Sequence, residues 1–147
     1  MEHWEVGLGK VIVIRCDRGE DLLNAIERVA KENGIRNGVI VSAIGTLERC
    51  RMHRVTSKDT LPKDEHFEVD GPLEVNSVDG VIADSKLHAH ISVSDGNGTY
   101  GGHLELGSPV LYLAEIVLAE VIGVSFKREF NQRAGLNLLK AISPTDL

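Results

Sequence analysis

A chain of 147 residues with 42% hydrophobic residues is one domain's length and carries enough apolar material to bury a core without disulfide or metal staples. Its formal charge of -6 and pI near 5.5 create a net field that repels phosphate backbones, which makes nucleic-acid binding a minor expectation. No stretch approaches the roughly 18 uncharged apolar residues of a membrane span, and Met1–Glu5 has no basic segment leading into an apolar one, so a soluble, cytoplasmic protein is expected.

The first strand expected is Lys10–Cys16, rich in β-branched residues. Asp17-Arg18-Gly19-Glu20 resembles a capping box, and Leu22, Leu23, Ile26, Val29 and Ala30 then recur at helical spacing until Asn33-Gly34 supplies a stop. Gly38–Gly45 is almost unbroken apolar sequence and reads as a strand covered on both faces, with Glu48–Thr56 as its expected partner strand. The polar, proline-bearing stretch from Ser57 to His66 is a loop or hairpin tip. Short strands are expected at Phe67–Val69, Leu73–Val78 and Val81–Ala83, divided by Asp70-Gly71-Pro72 and by the hairpin dipeptide Asp79-Gly80. Ser108–Val121 mixes helix formers with β-branched residues, so pattern leaves helix and strand open there. Val124–Phe130 alternates as a last strand, and Asn131–Ile142 suggests a short terminal turn or helix. Cys16 and Cys50, without CxxC spacing, read as core residues rather than a disulfide or zinc-finger pair.

The sharpest chemical signal lies in Lys86-Leu87-His88-Ala89-His90-Ile91-Ser92-Val93. As a strand, this run places His88 and His90 on one face and Leu87, Ala89 and Ile91 on the other. Asp95-Gly96-Asn97-Gly98 has the chemistry of a tight turn, so Tyr100-Gly101-Gly102-His103-Leu104 is expected to fold back and add a third imidazole. Two glycines before His103 mark close approach of a ligand or another backbone. The residues alone leave two readings, a three-histidine metal site or a plain polar sheet face.

Ile44-Gly45-Thr46-Leu47, His88-Ala89-His90-Ile91-Ser92, Tyr100-Gly101-Gly102-His103-Leu104 and the apolar run containing Glu115 together resemble the plants and prokaryotes conserved (PPC) domain family. The resemblance runs from about Lys10 to Lys140 and implies a single domain over residues 1–147. The fold it implies is α/β of the α+β type: a mainly antiparallel sheet packed with one long helix and a short C-terminal helix. It favours strand for Tyr112–Ile122, and it implies a homotrimer. It also implies one divalent ion per chain, held by His88, His90 and His103. Zinc suits three imidazoles, as would iron, nickel, copper or cobalt.

Three functions follow as expectations. The first is a stand-alone PPC protein binding a divalent metal, with no catalytic residue assigned. Another is a metal-dependent hydrolase or lyase acting on a small molecule, with Glu105 or Glu115 as candidate proton acceptors. DNA association is the remaining one, implied by plant relatives that carry an Arg-Gly-Arg-Pro hook. Here only Arg18-Gly19-Glu20 stands, with a carboxylate in place of the second arginine, and the cluster Arg49, Arg51 and Arg54 reads as solvated strand surface.

Overall fold

The computed structural model describes residues 1–142. In chain order the elements are β1 (Gly7–Asp17), α1 (Leu22–Glu32), β2 (Gly38–Val55), β3 (Asp64–Ala83), β4 (Lys86–Ser94), β5 (Thr99–Leu104), β6 (Val110–Ile122), β7 (Ser125–Asn131) and β8 (Leu136–Ile142). Six strands form an antiparallel sheet in the order β1-β6-β2-β3-β4-β5, and β7 pairs with β8 as a separate ribbon. A further pairing of β2 with β5 closes β2, β3, β4 and β5 into a ring. Leu47, Met52, Leu73, Val75, Val93 and Leu104, none more than 5% exposed, belong to the core behind it.

The helix forms where its apolar spacing requires. Leu22, Ala25, Ile26 and Ala30 are its buried stripe, and full burial of Leu22 and Ile26 contributes about 2 kcal/mol each. Its N-cap is Asp21, whose Oδ1 accepts from Asn24 N–H at 2.9 Å. The Asp17–Glu20 pair sits just upstream instead: Asp17 N–H donates to the Glu20 carboxylate at 2.9 Å, outside the helix. Asn33 caps the C-terminus and Gly34 follows with φ +71°, as the Asn-Gly stop requires. The helix is not long and apolar enough to cross a membrane.

Three expectations of local structure need correction. Gly38–Gly45 and Glu48–Thr56 are not partner strands; they are halves of the 18-residue β2, with Gly45 inside it. Gly45 is a point of contact, since a Cβ there would lie 2.5 Å from Ala114 Cα on β6. The three short strands between Phe67 and Ala83 are one 20-residue strand, β3. Asp79-Gly80 lies within it, and a Cβ on Gly80 would stand 2.7 Å from His88 O. The hairpin falls at Asp84-Ser85, both with positive φ (49° and 63°), as a two-residue turn between these strands demands.

The third correction concerns the C-terminus: in place of a short helix, Leu136–Ile142 is strand β8, with Phe126 opposite Ala141 and Arg128 opposite Leu139. Leucines in this segment permit a helix, but a ready strand partner outweighs that weak preference. Residues 110–122, left open by pattern, form β6 between β1 and β2. Cys16 and Cys50 are buried free thiols, and desolvation raises the pKa of each to about 11.

Candidate metal centre

Alternation on β4 buries Leu87, Ala89, Ile91 and Val93 and leaves His88 and His90 on the outer face. Asp95 shapes the turn that follows: its Oδ1 accepts from Asn97 N–H and Gly98 N–H at 2.7 and 3.0 Å. The chain returns as β5 with His103 directly opposite His90. Ring centroids lie 4.7 Å apart for His88 and His103, 5.6 Å for His90 and His103, and 5.7 Å for His88 and His90. One nitrogen from each of the three rings falls within 4.8 Å of the others. A tetrahedral ion with Zn–N bonds of about 2.0–2.1 Å requires nitrogens about 3.4 Å apart, so small ring rotations close the site and the donor set fits.

The two glycines before His103 serve neighbouring backbones. A Cβ on Gly102 would lie 2.7 Å from His53 O of β2, and one on Gly101 would lie 3.2 Å from Ile91 O of β4. This tight seating of β5 brings in a residue that the local pattern left on an ordinary surface strand. His53 stands opposite His103 on one side and His66 on the other, so His90, His103, His53 and His66 form a cross-strand row over β4, β5, β2 and β3. His53 stacks on His103 with centroids 4.4 Å apart.

Glu105 completes the cluster. Its Oε1 accepts from His53 Nδ1–H at 2.6 Å, which leaves the lone pair of that ring on Nε2. Glu105 N–H donates to Arg51 O, and Glu105 O accepts from the buried Ser108 hydroxyl at 3.1 Å. Ser108 N–H and Gly107 N–H donate in turn to Asp21 Oδ2, so the helix cap also anchors the segment that carries Glu105. His53, His103 and Glu105 make a second group with metal-ligand spacing, sharing His103 with the first. Glu115, the other candidate proton acceptor, lies outside the cluster, on β6 between Arg15 and Ile44.

The surroundings favour the neutral forms of His88 and His103. Desolvation, then the charges of Arg128, His90 and His53, hold His88 below the usual imidazole value. Desolvation, with His53 and His88 next in weight, pushes His103 down to about 4. Both rings therefore keep free lone pairs at neutral pH, the form in which imidazole binds metal. The row borders a cleft of about 530 Å³ lined by His53, His88, His90, His103, Asp64 and Leu136.

The chain matches the Plants and Prokaryotes Conserved (PCC) domain over residues 4–122. It is similar to the metal-containing protein AF0104 of Archaeoglobus fulgidus, at 30% identity over 94% of this chain and 98% of that one, with a TM-score of 0.80. A plant- and prokaryote-conserved protein of Pyrococcus horikoshii is 27% identical over 97% and 99% of the two chains, also with a TM-score of 0.80. Proteins of Bacteroides thetaiotaomicron and Ralstonia eutropha with proposed DNA-binding roles share the fold at 20% and 19% identity. Among curated relatives, the bifunctional protein GlmU of Synechococcus sp. (strain JA-3-3Ab) is 29% identical over 127 residues, 86% of this chain. The chain spans about a fifth of the length of that relative.

Proposed function

This chain belongs to the plants and prokaryotes conserved domain family, and on that footing we propose that it holds one zinc-like divalent ion per chain through His88, His90 and His103 and works as a homotrimer. The carrying observation is the convergence of three imidazole nitrogens within 4.8 Å on strands whose register fixes them. Three protein ligands leave a fourth position open, and an ion bound there would supply Lewis-acid polarisation to a small ligand. The His53–Glu105 pair, stacked against the candidate ligand His103, favours a metal-dependent hydrolase or lyase as the second reading, because it sets a hydrogen-bonded imidazole beside the three ligands.

Elemental analysis of untagged protein tests the metal reading. Wild type is expected to hold one equivalent of metal per chain, and a His88→Ala, His90→Ala double variant none. Structural zinc sites release roughly 10–16 kcal/mol shared among four ligands, so each lost imidazole costs about a hundred- to a thousandfold in affinity. A metal-free wild type, or a double variant that retains its ion, overturns the assignment.

Self-association is supported by the outer face of β1, β6 and β2. Val11 and Val13 are 60% and 73% exposed, Ile44 is 56% exposed, and Leu113 is 44% exposed. Their register places them on one face, with Val13 beside Val117 and Ile44 beside Glu115. Light scattering on a sizing column should give three times the chain mass for wild type and a single chain mass for a Val13→Lys, Ile44→Lys variant. A monomeric wild type rules the assembly out.

Charge layout does not favour DNA. Arg49 and Arg51 both face Glu68, at 4.0 and 3.8 Å, and Arg54 pairs with Glu65 at 2.8 Å. The arginine cluster is thus locally neutralised rather than presented as a basic patch. Tight, steeply salt-dependent duplex binding in a gel shift would reverse this ranking.

A further inference from the structure

The register that lines up the histidines also fixes what lies beside them. Two residues further along the four strands, Ser92 stands opposite Gly101 and Val55 opposite Asp64, on the same outer face as His90, His103, His53 and His66. Gly101 brings no side chain to that face, so the floor of the cleft beyond His103 stays open. The exposed side chains of Val55 and of Leu136, from the β7–β8 ribbon, make its apolar flanks. Asp64 stands at the end away from the three candidate ligands: from His103 it is two strands across and two residues along, about 12 Å between backbone positions.

The Asp64 carboxylate lines this cleft without a counterion, since it forms no ion pair among the described residues. The cations nearest to it in the chain are committed elsewhere. Arg54 places Nε and Nη2 on Glu65 Oε2 at 3.0 and 2.8 Å, and Lys63 Nζ meets Asp59 at 3.4 Å. Pairing of Asp64 with Val55 uses the backbone alone, so the fold has no evident use for the carboxylate. The cleft therefore runs from a cluster of nitrogen donors, past two apolar side chains, to an unanswered negative charge.

We propose that this cleft takes a small molecule bearing a primary amine, with a metal-binding head at the imidazole cluster, a short apolar chain between Val55 and Leu136, and the ammonium on Asp64. This rests on the metal reading above and names the ligand class of that site. After the reach of the two side chains, the gap suits a chain of about four to six carbons. A compact ammonium needs only one carboxylate, and an ion pair at an accessible carboxylate adds up to about fivefold in affinity. Repulsion between the ammonium and the ion, on the order of 10 Å apart in an open cleft, is weakened by water and salt. A ligand with a carboxylate tail would meet Asp64 as a like charge.

The test is calorimetric titration of zinc-loaded protein with three probes of equal length: hexanohydroxamate, 6-aminohexanohydroxamate and the monohydroxamate of adipic acid. Their shared head binds the ion, and only the tail differs. Wild type should bind the amino probe about three- to fivefold more tightly than the plain one and the acidic probe least tightly, with the differences shrinking in concentrated salt. Asp64→Asn should keep its zinc and its affinity for hexanohydroxamate while losing the preference for the amine. Asp64→Lys should reverse the order and favour the acidic tail. Equal binding of the plain and amino probes by wild type overturns the proposal, as does a preference that survives in Asp64→Asn. In those cases binding of hexanohydroxamate to wild type, and not to the His88→Ala, His90→Ala variant, leaves the metal reading standing. Failure of all three probes to bind zinc-treated wild type removes the metal reading and the amine site with it.

Discussion

Gly45→Val should destabilise the protein by about 4 kcal/mol or more, the sum of overpacking at about 1–3 kcal/mol and backbone strain of similar size. The new Cβ would lie 2.5 Å from both Ala114 Cα and Leu113 O, which are backbone atoms of β6 and cannot swing aside. Gly45 also has φ +149°, at the edge of what side-chain-bearing residues adopt. Set against a total stability of about 5–15 kcal/mol, such a loss removes about a quarter or more of the margin that keeps the protein folded. Urea denaturation monitored by circular dichroism reads it directly. The control is Gly96→Val in the β4–β5 turn, where a Cβ meets nothing within 4 Å and the expected change is within about 0.5 kcal/mol. A loss below about 1 kcal/mol at Gly45 would show that β2 and β6 are not packed as tightly as described.

The second large effect is a pH dependence of the metal-free protein. His103 titrates at about 4 in the fold, against 6.5 for a free imidazole, and the pKa of His88 moves the same way. Between these values the unfolded chain binds more protons than the native one, so stability rises with pH across the interval. Going downward, stability is at its full value above about pH 6.5 and is lost until pH 4, below which both states are protonated. The His103 shift sets an upper bound of about 3 kcal/mol, and for a ring only partly withdrawn from water about 2 kcal/mol is expected. Glu20 and Asp95, whose pKa values are lowered from 4.5 and 3.8, begin to lose their contributions only as pH falls through those free values, so the upper part of the window, above about pH 5, belongs to the imidazoles. Thermal melts from pH 7.5 to 4.0 in the presence of a chelator should show the slope, and His103→Gln should remove most of it. An unchanged slope in that variant would assign the dependence to other groups.

What the residues reveal by themselves is local. The alternation of Leu87, Ala89 and Ile91 against His88 and His90, with the Asp95–Gly98 turn, is enough to bring three of the site's imidazoles together. The helix is legible for the same reason, because Leu22, Ile26 and Ala30 repeat within a single element. His53 is not, because it meets His103 only through a pairing between strands fifty residues apart, and nothing near position 53 encodes that register. Glycines mislead most. Gly80 looks in sequence like a turn residue and Gly45 like a strand's end, yet both let another strand come close, while the actual turn at Asp84-Ser85 contains no glycine.

The connectivity of the sheet also sets an order of events during synthesis. Every strand of the closed ring, and with them all the clustered histidines, lies between Gly38 and Leu104, and each strand follows its hairpin partner except where β5 returns to β2. β1 is made first but pairs only with β6, so Gly7 cannot meet Ile122 until more than a hundred further residues have left the ribosome. The N-terminal strand must therefore wait with its β-branched edge uncovered while the imidazole-bearing ring can already close.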